Sequence, residues 1–161
     1  MTGNHSDVKY FQFEEDFIED NLRCIPMIVR LKLDTIGIKL PLKAWSRFNA
    51  IERTRLANDS CIAHQELLDY KDNVLTLAKK YSLEKLTFLN TDENAVWINS
   101  DCIPDSLKEK CLQFELHITI DQWKELSILQ RFAMVKLSKP GHESKNFKKA
   151  LLEFGLVKKG I

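Results

Sequence analysis

Glycine is scarce in this chain, with five among 161 residues, and none of them falls into G-x-G-x-x-G or G-x-x-x-x-G-K-[ST]. No loop of backbone N–H groups is therefore arranged to cradle a nucleotide phosphate. Cysteine is limited to Cys24, Cys61, Cys102 and Cys111, with no C-x-x-C pair. That spacing supports neither a zinc ribbon nor a thioredoxin-like redox motif, and it reads as free thiols in a reducing compartment, behaving as small apolar side chains. Long apolar runs are missing too. The stretch from Ile36 to Leu42 is interrupted by Lys39, whereas a membrane span needs about 20 apolar residues. Met1 to Asp20 carries one Lys and six acidic residues, the reverse of a secretory signal, so the expected location is cytoplasmic.

Neither sign of charge prevails, since 24 Lys+Arg meet 23 Asp+Glu for a net +1. A dedicated nucleic-acid binder draws its affinity from many phosphate contacts, so no nucleic-acid partner is expected. Residues 41 to 56 have a helix-turn-helix look, but no second basic recognition helix comes after them. Nucleophile and metalloprotease motifs such as G-x-S-x-G and H-E-x-x-H do not occur, and His5, His64, His117 and His142 lie far apart. Cys61-x-x-His64 offers two ligands on one helical turn where a metal site needs three or four. His142-Glu143, after the Pro140-Gly141 turn, could serve as an acid/base pair, because a carboxylate can orient an imidazole; a solvated helix entry accounts for the same residues. No catalytic residue, metal or cofactor is assigned, and the expected protein is not an enzyme.

What the chain does have is apolar material, 44% of it, sufficient for one ordinary core. It also has an internal repeat. At an offset of 78 residues, Cys24-Ile25-Pro26 falls on Cys102-Ile103-Pro104, Lys32 on Lys110, Trp45 on Trp123, Arg53 on Arg131, Ser60 on Ser138 and His64 on His142. Apolar positions such as Leu42/Ile120, Phe48/Leu126, Ile51/Leu129 and Leu56/Met134 correspond as well. Such self-similarity points to a duplicated helical unit. Two copies are too few for a solenoid, so the expectation is one all-α domain over residues 1–161, mainly helical with minor short strands, in which the copies pack as a pseudo-two-fold pair. Its parts would be an arm at 1–20, a first unit at about 24–81, a linker at about 82–101 and a second unit at about 102–156.

The repeat resolves local ambiguity. Val29 to Asp34 alternates like a strand, but its partner, Pro104 to Cys111, reads as a helix with Pro at the tolerated first position, so both are expected helical. Gly37 would end the first of these as a left-handed cap. Each copy then has a Trp-bearing turn and a capping box, Asn49-x-x-Glu52 and Ser127-x-x-Gln130, opening the next helix. Leu67, Val74, Leu75, Ala78 and Tyr81 mark one face of a helix from about Gln65 to Tyr81. Phe147, Ala150, Leu151 and Phe154 mark another, stopped by Gly155 with Leu156 folding back in a Schellman ending. Thr91 to Ser100 reads as a polar loop with an exposed Trp97, and Ile38 to Leu40 and Leu116 to Ile118 as short strands.

Two aromatic features remain. Trp45 and Trp123 could be a stacking platform, but equivalent positions in a repeat favour paired core residues. Phe11, Phe13 and Phe17 stand among Glu14, Glu15, Asp16, Glu19 and Asp20, a combination that suits either a docking surface or a helix covering the core. Basic charge lies elsewhere, seven residues against two acidic ones from Arg30 to Arg55, with a further Lys group at the C-terminus. Segregation of this kind favours an oriented protein partner.

The blocks F-Q-F-E-E-D-F (11 to 17), R-C-I-P-M-I-V-R-L-K-L-D (23 to 34), L-Q-R-F-A-M-V-K-L-S-K-P-G-H-E-S-K-N-F (129 to 147) and A-L-L-E-F-G-L (150 to 156) resemble the nitrate reductase-associated, NarM-like family. The resemblance runs from about Tyr10 to Leu156 and is thinnest between Asn58 and Ser100. It implies a protein of cyanobacteria and other bacteria, encoded near assimilatory nitrate reductase and molybdopterin-cofactor genes and needed for active nitrate reductase. It supplies no catalytic residues. The implied partner is the nitrate reductase polypeptide, with molybdenum-cofactor biosynthesis proteins as further candidates, and the role is that of a maturation factor or chaperone during molybdenum-cofactor or iron-sulfur cluster insertion. On that reading the expected partner surface comprises Phe11, Phe13, Arg23, Arg30, Lys32, His142 and Glu143. The alternative is direct handling of cofactor, sulfur or cluster by Cys24 and Cys102, which occupy matching repeat positions.

Overall fold

The computed structural model describes residues 10–14, 25–81, 86–89, 95–139 and 144–157. The chain divides into two compact units, Met1–Asp92 and Glu93–Ile161, a boundary inside the segment expected to link the repeats.

In the first unit, Pro26 caps α1 (Met27–Ile36), and its carbonyl accepts from Val29 and Arg30 N–H. Val29, Leu33 and Ile36 repeat at i, i+4 and i+7, so α1 buries a stripe despite its locally alternating sequence. Gly37 ends it at φ 75°, the left-handed conformation in which only glycine avoids a Cβ clash. β1 (Ile38–Lys39) comes next and pairs antiparallel with β2 (Thr87–Phe88), Ile38 opposite Phe88 and Lys39 opposite Thr87. The Trp-bearing segment expected as a turn is a short helix, α2 (Leu42–Arg47), which buries Ala44 and Trp45. The Asn49/Glu52 capping box then opens α3 (Ala50–Asn58), Glu52 N–H donating to Asn49 Oδ1 at 2.8 Å and Asn49 N–H to Glu52 Oε1 at 2.9 Å.

α4 (His64–Lys80) is the long helix of this unit. It buries Tyr70, Val74, Leu77 and Ala78, while the expected Leu67, Leu75 and Tyr81 are half-buried at the edge of that stripe. Tyr70 escapes a purely apolar pattern because its ring joins the core while its hydroxyl donates to Leu56 O at 2.8 Å, so the phenol is both apolar filler and donor. The core gathers Val29, Leu33, Ile38, Trp45, Phe48, Leu56 and Val74 from every element but β2.

The second unit holds α5 (Asp105–Gln113), α6 (Ile120–Glu125), α7 (Ile128–Leu137) and α8 (Ser144–Glu153). α5, α6 and α7 begin 78 residues after α1, α2 and α3. Pro104 is the N-cap of α5 rather than its first helical residue. The Ser127/Gln130 box opens α7, and a further box, Thr119/Gln122, opens α6. α7 is the central rod: Arg131 to Val135 and Leu137 are all buried, and it packs against both α5 and α8. Phe147, Ala150 and Leu151 of α8 are fully buried. Gly155, at φ 71°, donates to Leu152 O while Leu156 N–H reaches Leu151 O at 2.9 Å, the Schellman pattern the sequence predicts. Leu116 to Ile118, expected as a strand, is irregular.

Candidate functional site

The expected partner surface begins with residues 12 to 14, a helical turn ahead of α1. Phe11 and Phe13 stack at 5.4 Å between ring centroids, with planes 18° apart. Glu14 is buried, and its carboxylate accepts from Met27 N–H at 2.6 Å and Phe11 N–H at 3.3 Å. The first N–H groups of a helix have no partner inside it, and the N-terminus carries the positive end of the helix dipole. A carboxylate there satisfies both demands, so Glu14 pins the aromatic turn onto the start of α1. Burial, followed by the Glu14 charge, raises the pKa of neighbouring Tyr10 above the ordinary phenol range.

The expected residues are not equally accessible. Phe13 is buried and belongs to the packing, whereas Phe11 is half-buried. Arg30 is half-buried one turn beyond Met27, with Nη1 3.7 Å from the Met27 sulfur. Lys32 has a structural role. Its ammonium donates to Ala57 O at 2.7 Å and Asp59 O at 2.6 Å, closing the C-terminus of α3 where carbonyls lack partners. Burial holds that ammonium below its usual pKa. Arg23, His142, Glu143 and Cys24 lie outside the described residues.

Sequence alone does not single out Glu14 as an anchor, because there it is one member of an acidic run.

Thiol chemistry has little purchase in the described cysteines. Cys61 and Cys111 are free thiols whose pKa values burial pushes up to about 11, leaving them protonated and poorly nucleophilic at neutral pH. Cys102 is exposed. Cys61 lies near Lys32, whose charge only partly offsets the burial, and His64 is exposed at the first position of α4. Among the described residues no three His, Cys, Asp or Glu side chains converge on a possible metal position.

The second unit buries two cations among its described residues, Lys110 and Arg131, and Arg131 serves backbone. Arg131 Nε donates to Trp97 O and Nη1 to Leu126 O, both at 2.7 Å, and Trp123 Nε1 donates to Asn99 O at 2.9 Å. Trp97, expected to be exposed, is half-buried and meets Phe132 edge-on at 5.0 Å. Two core side chains therefore tie residues 97 to 99 down. Trp45 and Trp123 are both core residues, as their repeat positions predict.

Against this geometry, residues 10–154 match the model of the conserved nitrate reductase-associated protein family. The chain belongs to that family. The match spans the Phe11 to Glu14 turn, α1 and all of α8, and the family's description associates it with nitrate reductase. No curated protein and no solved structure matches the chain. Among the described residues of this nitrate reductase-associated protein, no helix is long and apolar enough to cross a membrane.

Proposed function

We propose that the protein is a non-catalytic accessory factor that binds the nitrate reductase polypeptide while molybdenum cofactor or an iron-sulfur cluster is inserted. The family match over residues 10–154 carries this reading. The logic is linkage. A factor that binds the cofactor-free state raises that state's population, and it is released when the mature state binds it less well. The N-terminal turn supports a contact surface here, because Glu14 fixes Phe11 beside α1 and the contacts Phe11–Glu14–Met27–Arg30 run without a break. Among the described members of the expected set, Phe11 and Arg30 are half-buried, an aromatic and an arginine of the kind that anchors interfaces.

Direct handling of cofactor, sulfur or cluster by Cys24 and Cys102 is the competing reading, and the exposure of Cys102 is the observation that favours it. Cys24→Ser with Cys102→Ser separates the two. Under the binding reading the folded double variant still supports nitrate reductase activity, and under the carrier reading that support is lost.

The direct test is affinity capture of the tagged protein from nitrate-grown cells, with mass spectrometry of partners and metal analysis of the eluate. Capture of metal-poor nitrate reductase is expected. Recovery of molybdenum, iron or pterin without the reductase would overturn the binding reading in favour of delivery.

A further inference from the structure

Leu116 to Ile118 leaves α5 as β1 leaves α1. Glu115 sits at φ 56° where Gly37 sits at φ 75°, and Leu116 N–H closes onto Cys111 O at 2.9 Å. In the first unit the emerging strand is covered by β2, and Leu89 N–H adds a bond to Gly37 O at 2.7 Å. In the second unit nothing equivalent lies alongside among the described residues, where the backbone groups of His117 and Ile118 make no hydrogen bond. A stretch at a helix exit whose N–H and C=O groups are unpaired is a template on which another strand can form.

Beside this edge runs a groove of about 270 Å³ between α5 and the segment after it. Its apolar surface comes from buried Ile103, Leu107 and Cys111. Leu112 flanks it at 63% exposure, an apolar side chain where the first unit has Asp34. The polar lining groups, Lys108 and His117, are exposed and basic, and no carboxylate among the described residues lines the groove.

We propose that this edge and groove bind an extended segment of a partner polypeptide by strand addition, with alternate apolar side chains entering the groove and acidic residues meeting Lys108 and His117. The chain itself carries the pattern for such an occupant. In the first unit Thr87 and Phe88 pair with the strand at the equivalent position while Leu86 packs against the core, and charge complementarity at the groove adds the acidic flanks. Main-chain hydrogen bonds would supply affinity and the groove would select side chains, as in other strand-addition complexes. The proposal depends on the accessory-factor reading only for the identity of the partner.

The probe is a fluorescein-labelled peptide, Glu-Leu-Thr-Phe-Leu-Glu, titrated onto the full-length protein by fluorescence anisotropy, with backbone amide shifts recorded in parallel. Saturable binding with shifts confined to residues 112–119 is expected. His117→Pro, which removes an edge donor, and Leu112→Glu, which opposes the acidic peptide, should each weaken it roughly tenfold or more. Peptide N-methylated at its Thr and second Leu should fail on the unaltered protein, a control that does not depend on any variant folding. Absence of saturable binding, or binding indifferent to both His117→Pro and N-methylation, overturns the proposal. Concentration-dependent dimerisation abolished by His117→Pro also overturns it, assigning the edge to a second copy. If the protein captures nitrate reductase equally well with His117→Pro, the assignment of the reductase to the groove falls while the accessory-factor reading stands. If peptide binds as expected but no reductase is captured, the groove stands and that reading falls.

Discussion

Positions 37 and 115 lie at the endings of the first helices of their respective units, and both are left-handed, yet one is glycine and the other glutamate. The helix ending dictates the conformation in each case, through the N–H groups that fold back onto the last carbonyls. Residue choice then decides only the strain. The segments beyond the two positions differ more: Ile38 and Lys39 are a strand because Thr87 and Phe88 lie beside them, whereas Leu116 to Ile118 has similar apolar content and no strand. A two-residue strand is thus a property of its neighbour as much as of itself. The same lesson holds at positions 53 and 131. Both are arginine, but Arg131 is buried and bonded to two carbonyls, while the Arg53 guanidinium makes no hydrogen bond or ion pair among the described residues.

The strongest test of equivalence lies at the two tryptophans. Trp45→Ala and Trp123→Ala should each cost about 3–5 kcal/mol in denaturant unfolding, because both rings are buried and the cavity left behind adds to the lost transfer energy. Trp123 should stand at the upper end, since its bond to Asn99 O is lost as well. A cost below about 1 kcal/mol at either site would show that the two helices do not play matching parts.

The arginines should separate rather than agree. Arg131→Leu leaves the Trp97 and Leu126 carbonyls without their donors, and about 1–3 kcal/mol of destabilisation is expected. Arg53→Leu, at the matching position, should stay within about 0.5 kcal/mol. Equal costs would mean that burial of the Arg131 bonds contributes nothing.

Acid should act on one capping box and not the other. Hydrogen bonds from Lys80 first, then from Tyr81 and the Asn49 N–H, lower the Glu52 carboxyl to about 2. Its folded value lies below its unfolded one, so the stability it contributes is complete above about 4.5 and disappears as pH falls toward about 2. The matching Gln130 is neutral and brings no such dependence. Glu52→Gln should flatten the pH dependence of unfolding between those values while leaving the box able to form. An unchanged profile would place the acid sensitivity elsewhere.

The smallest effect is expected at the positions compared first. Glu115→Gly removes left-handed strain of about 1 kcal/mol and gives back part of it through the more flexible unfolded chain, so a net gain of a few tenths of a kcal/mol should appear. Gly37→Glu should destabilise by about 1 kcal/mol, imposing the strain that Glu115 already carries. Stabilisation by Gly37→Glu would mean that its positive φ is not retained in solution.

Much of this protein could be read from sequence where the determinant is local. Proline before α1 and α5, glycine after α1 and α8, and the Asn49/Glu52 and Ser127/Gln130 boxes mark helix ends because capping involves atoms only a few residues apart. The offset of 78 predicted helix where alternation in Val29 to Asp34 suggested strand. The candidate surface was far less legible. Nothing in the acidic run around Glu14 marks it as a carboxylate that turns inward, since its partner, Met27 N–H, is thirteen residues away. Lys32 looks like surface charge in the sequence, and the carbonyls it caps lie 25 and 27 residues on.

The sequence by itself determined the longer helices, the ends marked by Gly37, Asn49, Ser127 and Gly155, and the burial of Trp45 and Trp123, because side-chain periodicity and capping act over one or two turns. Only the tertiary structure decided which charges were spent on backbone, which tryptophan carbonyl an arginine would hold, and which of two similar apolar stretches became a strand. Those outcomes depend on groups distant in the chain meeting where water is excluded, and there an unpaired donor or acceptor costs more than any local preference.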